Sequence, residues 1–168
     1  MRFTLVNPPI TLTNPKRLPK VQPPLGMAYL AACAREAGHA VSVVDGIGEG
    51  IGRHSPFREG YYIHGLSIEE ILERIDPKTE VIGVGVMFSS FWPLSRVLIE
   101  AIRGRFPHAV IIVGGEHVTA LPHFVMAEAP IDYAVTGEGE ETLLELLAHV
   151  SGAPDSLPIE KITGLGLR

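Results

Sequence analysis

Short β-branched runs alternate along the chain with longer segments whose apolar positions recur every three or four residues. Phe3-Thr4-Leu5-Val6-Asn7 reads as a short buried strand, stopped by Pro8-Pro9. Residues 8–24 are proline-rich and aperiodic, which predicts a long loop of the kind that often carries function. Leu25, Ala28, Tyr29, Ala32 and Cys33 have helical spacing, so a helix is predicted to Ala37, with Gly38 as its natural C′ residue. Val41 to Asp45 form a second strand, and Gly46 to Gly65 a glycine-rich excursion without period. Ser67-Ile68-Glu69-Glu70 has capping-box spacing and opens a short helix to about Ile75. Val81 to Val86 predict a third strand, β-branched on both faces as in the middle of a parallel sheet. After a Met87-Phe88-Ser89-Ser90 loop, a helix is predicted from Pro93 to Phe106. A fourth strand, Ala109 to Val113, halts at Gly114-Gly115. A short helix over Pro122 to Glu128, a fifth strand over Asp132 to Val135 and an amphipathic helix over Glu138 to Val150 complete the alternation.

Five strand–helix alternations specify an α/β fold: a doubly wound five-stranded parallel sheet with helices on both faces. Right-handed crossovers favour the Rossmann-like, flavodoxin-like order 2-1-3-4-5. The expected organisation is one domain over residues 1–150. Residues 151–168 then form a linker, with Ile162 to Arg168 as an edge strand leading toward a further domain.

Composition narrows the classes. The 168 residues are 46% apolar and 20% charged, which suits one globular core. With 14 Lys+Arg against 19 Asp+Glu, the net charge of −5 offers no basic face for nucleic acid. No run approaches a membrane span or a signal peptide, so the expectation is a cytoplasmic protein without membrane association. Cys33 is the only cysteine: no intrachain disulfide and no thiolate cluster can form, and its apolar helical setting suits a small buried hydrophobe.

In such a fold, ligands bind beyond the carboxyl ends of the strands. Gly114-Gly115 and Gly137-x-Gly139 end neighbouring strands, and each lets a ligand approach the backbone without a Cβ in the way. A tight strand-to-helix turn makes the same demand of one pair. Two pairs beside Ser89-Ser90 point instead to a binding cleft. On this reading, Gly115→Val should block the ligand and change folding less, provided φ there is negative. A dinucleotide fingerprint is absent, since Asn7-Pro8-Pro9 follows the first strand and Gly83-Val84-Gly85 lies within one. No Gly-Lys-Ser/Thr exists, and Glu138, Glu140 and Glu141 would repel a pyrophosphate. The seven histidines are scattered, Ser89-Ser90 lacks a nucleophile elbow, and no catalytic residue or metal-ligand set is expected.

Several segments carry a family resemblance. Pro23-Pro24-Leu25-Gly26-Met27-Ala28-Tyr29-Leu30-Ala31, Ala37-Gly38-His39 and Val43-Val44-Asp45 resemble the opening of a known domain. Val84-Gly85-Val86-Met87, Val113 to Pro122 and Asp132 to Leu143 resemble its later segments, in order. That domain is the N-terminal cobalamin-binding domain of cobalamin-dependent radical S-adenosylmethionine enzymes. The resemblance implies a corrin ring over the strand ends and a nucleotide tail entering between the serine loop and the double-glycine loop. Ser89 or Ser90 would bond the tail, Gly114 and Gly115 would give it room, and Glu116, His117, Thr119 and Ala120 would line it together with Met87. Gly137, Glu138 and Gly139 would flank tail or ring. The Asp-x-His-x-x-Gly that gives cobalt a histidine in the classical cobalamin proteins is replaced by Asn7-Pro8-Pro9-Ile10-Thr11-Leu12, so base-off cobalamin without a protein histidine is implied. S-adenosylmethionine and a [4Fe-4S] cluster would belong to a missing catalytic radical domain, in the same polypeptide or a partner chain. The other class open to the sequence is a small-ligand sensor or ordinary α/β enzyme on the same scaffold.

Overall fold

The computed structural model describes residues 1–16 and 20–166; part of the proline-rich segment and the last two residues of the expected edge strand lie outside these. In chain order the elements are β1 (Arg2–Asn7), β2 (Ile10–Leu12), α1 (Leu25–Glu36), β3 (Ala40–Asp45), β4 (His54–Arg58) and β5 (Tyr61–His64). Then come α2 (Ile68–Arg74), β6 (Val81–Gly85), α3 (Trp92–Arg105), β7 (Val110–Gly114), α4 (Glu116–Ala120) and α5 (Pro122–Glu128). β8 (Tyr133–Val135), α6 (Glu140–Val150) and β9 (Leu165–Gly166) follow.

The main sheet has the order β3-β1-β6-β7-β8-β9. Its first five strands run parallel in the expected order, while β9 pairs antiparallel with β8. The sheet therefore has six strands rather than five, closed at one edge by the short segment after the last helix. Period-2 alternation divides the core into two layers. Ile82, Val84 and Val86 face Leu98, Ile99 and Ile102 of α3. Phe3, Leu5 and Ile112 face Ala31 and Ala34 of α1 and Leu143, Leu146 and Leu147 of α6.

Helix α2 starts where its cap dictates. The Ser67 N–H donates to Glu70 Oε2 at 2.9 Å, and the Glu70 N–H donates to Ser67 Oγ at 3.3 Å. That backbone donor, helped by Arg53 at 2.6 Å, holds the Glu70 carboxyl down to about 2.

Two features depart from the expectation. The proline-rich segment and the glycine-rich excursion are not wholly irregular: β2, β5 and β4 form a separate antiparallel sheet, with Ile10, His64 and His54 side by side. The β4–β5 turn at Glu59-Gly60 places Gly60 at φ +76°, which glycine adopts without a Cβ penalty. The segment after Gly115 is also helical, as α4. Among the described residues, no helix is long and apolar enough to cross a membrane.

Candidate functional site

Strand register builds the site. Leu5, Gly83 and Ile112 lie side by side on β1, β6 and β7; two residues further on, Gly85, Gly114 and Val135 do the same on β6, β7 and β8. Alternation turns Gly83, Gly85 and Gly114 toward α1 and α6, because Ile82, Val84 and Val86 are committed to the α3 face. The sheet face there lacks side chains at three positions between Leu5, Ile112 and Val135, and a cleft of about 540 Å3 opens over it at the carboxyl ends of the strands. A Cβ at Gly85 would stand 2.4 Å from the terminal methyl of Met27, and one at Gly83 would stand 2.9 Å from Leu5. Met27 and Leu5 thus already occupy the space that side chains at these positions would need, and glycine is what lets them pack there.

Met27 and Leu30 of α1 and Leu143 of α6 form its walls, and the buried Pro8 and Pro9 stand behind β1. The mouth differs in character. Met87 and Phe88, 55% and 60% exposed, stand at the lip with the carboxylates of Glu116, Glu138 and Glu140. The depths are apolar and the rim is acidic.

The double-glycine turn separates two roles that the sequence had joined. Gly115 sits at φ +112°, where a Cβ would come within 2.7 Å of the Val86 carbonyl oxygen. The Val86 N–H donates to Gly114 O at 2.8 Å, and the His117 N–H donates to Val86 O at 3.2 Å, fastening the turn to β6. Backbone geometry alone demands glycine at 115, so the expectation that Gly115→Val mainly blocks a ligand is corrected. Gly114 is the position free to test. Its Cβ would meet only Val135, no closer than 3.5 Å.

Of the residues singled out from sequence, Met87, Gly114, Gly115, Glu116, Gly137, Glu138 and Gly139 line the cleft. Ser89, Ser90, His117, Thr119 and Ala120 do not: the serines lie in the turn that leads into α3, and α4 carries the other three away from the cleft. His117 is only 3% exposed and points to the α3 face, its Nδ1 at 2.9 Å from Ser89 Oγ and its ring 5.2 Å from that of Trp92. Burial lowers its pKa from 6.5. Thr119 Oγ1 accepts the Gly137 N–H at 2.9 Å and so steadies the second glycine turn from outside. Ser90 and Ala120 are exposed beyond the cleft.

Sequence reading missed the trough itself. Gly83-x-Gly85 reads in sequence as the interior of a strand, yet that spacing places both glycines on one face of a central strand. The alternation was the available signal.

No nucleophile–base pair lines the cleft, and Cys33 is not among its lining residues. Among the described residues, no group of three or more His, Cys, Asp or Glu could hold a metal ion. Such a site can grip a flat apolar group in its depths and accept hydrogen bonds at its mouth.

Comparison with known proteins agrees. The chain is 32% identical over 152 residues to the uncharacterized methyltransferase PH0819 of Pyrococcus horikoshii, covering 90% of this chain and 30% of that protein. It is 31% identical over 173 residues to the anaerobic magnesium-protoporphyrin IX monomethyl ester cyclase of a Synechocystis strain, covering 100% and 31%. The chain therefore spans less than a third of the length of these curated relatives. Among solved structures, its fold is similar to that of TsrM, a radical S-adenosylmethionine methyltransferase from Kitasatospora setae solved with cobalamin and a [4Fe-4S] cluster. That similarity has TM-score 0.70 at 20% identity over 98% of this chain and 26% of that one. OxsB, a cobalamin-dependent S-adenosylmethionine radical enzyme, gives TM-score 0.71 at 20% identity over 99% and 20%. A family model described as the B12 binding domain matches residues 17–147. Since that match takes in most of the chain and both glycine turns, the chain belongs to the B12-binding domain family.

Proposed function

We propose that the cleft holds cobalamin with its lower base off cobalt, the nucleotide tail laid along the trough and the corrin ring over the rim. The domain would serve as the cofactor-carrying part of a radical S-adenosylmethionine enzyme of methyltransferase type.

The observation that carries this reading is the cleft over Gly83, Gly85 and Gly114 along β6 and β7, lined mainly by apolar side chains. A planar aromatic base fits such a slot. The acidic rim suits a ring fringed with amide groups, whose N–H donors Glu116, Glu138 and Glu140 can accept. No histidine is among the lining residues, and Asn7-Pro8-Pro9 occupies the stretch after β1. Both facts favour cobalt without a protein imidazole.

Bound cobalamin supplies group-transfer chemistry at cobalt. This chain's residues bind and orient. The apolar walls would exclude water from the tail, Met87 and Phe88 would offer apolar contact to the ring, and the Val86–Gly114 bond holds the turn beside the cleft. S-adenosylmethionine and a [4Fe-4S] cluster would be held by a separate catalytic domain, consistent with relatives about three times as long.

The test is retention of hydroxocobalamin through desalting, read in the visible spectrum. Wild-type protein should keep about one equivalent in the base-off form. Gly114→Val, which places a branched side chain on the trough floor at ordinary contact distance, should lose most of it with little change in Tm. Failure of the wild-type chain to retain cobalamin overturns the reading.

A further inference from the structure

We infer that His117 is a positioning residue for the cleft: it grips both ends of the Met87-Phe88 lip and so sets how fast a bound ligand escapes. The hold on the lip is a property of this chain alone. Its effect on a ligand rests on the cobalamin reading above.

The chain leaves β6 after Gly85 and enters the turn toward α3 at Ser89. Between Val86 and Ser89 only Met87 and Phe88 cross the mouth of the cleft. Both are exposed, and among the described residues the Met87 N–H and C=O and the Phe88 N–H have no backbone hydrogen-bond partner. Two apolar side chains facing water over an unpaired backbone do not hold a position by themselves. The lip is fixed at its ends. At one end Val86 O accepts the His117 N–H at 3.2 Å, beside the Val86–Gly114 bond. At the other, Ser89 Oγ lies 2.9 Å from His117 Nδ1, and the Phe91 N–H donates to Phe88 O at 3.0 Å to close the turn. One residue of α4 thus holds both ends, one with its main chain and one with its ring.

A second observation is what a histidine costs at this position. Its ring is 3% exposed and packs against Trp92 and Phe124, with centroids 5.2 and 6.4 Å away. Nε2 is buried there without a partner. Whichever tautomer is present, the bond to Ser89 uses one ring nitrogen and leaves the other unpaired. A phenylalanine or leucine would fill the same apolar niche without that penalty. The imidazole is therefore explained by its one satisfied ring atom, Nδ1. That atom serves nothing in the core, because its partner Ser89 is exposed and begins the turn that follows the lip.

The experiment uses the 168-residue chain, first without ligand and then loaded with hydroxocobalamin. Ser89→Ala removes the tie at an exposed position and should leave Tm within about 2 °C of wild type. Chymotrypsin cleavage after Phe88 in the ligand-free protein, followed by mass spectrometry, should accelerate roughly threefold or more, the order expected for one lost hydrogen bond. The rate at which bound cobalamin is lost on dilution should rise by a similar factor. His117→Phe keeps the ring packing and the backbone bond to Val86 O, and should reproduce both changes. Ser89→Thr keeps the hydroxyl and should restore both rates. The double variant Ser89→Ala/His117→Phe should be no faster than either single one, since both remove the same bond. A core role for His117 predicts the opposite pattern, with Tm lowered in His117→Phe and Ser89→Ala like wild type, and that result overturns the proposal. Unchanged cleavage after Phe88 in Ser89→Ala overturns it as well, whether or not cobalamin binds. Faster cleavage with an unchanged dissociation rate overturns the control of escape. If the wild-type chain retains no cobalamin, the cofactor reading falls and the control of escape with it, while the cleavage rates still decide the hold on the lip.

Discussion

Two adjacent glycines, 114 and 115, look alike in sequence and do different work. Gly115 carries a positive φ and lies against the Val86 carbonyl, so Gly115→Ala should cost about 1–3 kcal/mol in urea unfolding. A loss below about 0.5 kcal/mol would mean the turn relaxes freely. Gly114 bears no such strain, and a substitution there should act on the cofactor instead. The histidines are another case where position outweighs identity. Burial lowers the pKa of His39, His64 and His117 below 6.5; for His64 the neighbouring His54, its Nε2 at 3.2 Å, adds to the effect. A folded-state pKa below the unfolded one means the fold favours the neutral ring. The resulting stability is fully present above about pH 6.5 and is lost as pH falls through the lower folded values. Glu70, held to about 2, behaves the same way in a separate window between about 4.5 and 2. Urea midpoints should be level from pH 7 to 8 and fall below about 6.5, well before carboxylates titrate. A midpoint that rises on acidification to pH 5.5 would contradict this.

Elements are placed by a few long-range ties as well as by burial. Arg103 on α3 reaches across the end of the sheet, donating to Ala109 O at 2.8 Å, to Pro130 O at 3.2 Å and to Asp132 Oδ2. Asp132 in turn accepts the Ile111 N–H at 2.7 Å. One guanidinium thus locks the approach to β8, the short strand whose exit carries Gly137 and Gly139. Arg103→Ala should cost about 1–3 kcal/mol, because it removes the donor shared by the Ala109 and Pro130 carbonyls, and should weaken cobalamin retention through the displaced turn. Unchanged stability and retention would show that β8 is held by β7 and β9 alone. The β2–β5–β4 sheet was hidden for a related reason. Its strands are short, and His, Ser, Pro and Arg interrupt the apolar alternation, so its register comes from pairing across fifty residues of chain.

At the scale of the whole molecule, the proposed role is that of a holder. Its cleft is apolar below and acidic above, and no nucleophile–base pair faces it. On the proposed reading, the chain alone, loaded with cobalamin and supplied with S-adenosylmethionine and a reductant, should form no methylated product, because cobalamin would carry the chemistry and the domain would present it. Product formed without any added protein would refute the carrier role.

Much of this was legible from residues alone. Period 2 against period 3.6, with right-handed crossovers, was enough for five parallel strands in the order observed, and the glycines at 114–115 and 137–139 marked the strand ends where the cleft opens. These are local signals, and they read out from neighbouring residues. Which face each residue presents is not local. Gly83 and Gly85 became a floor only when β6 was set between β1 and β7 with its valines toward α3, and His117 left the cleft only when one and a half turns of helix followed Gly115. Register and facing are properties of pairs of strands distant in the chain. A single run of sequence cannot hold them, so the binding surface had to come from the packed sheet.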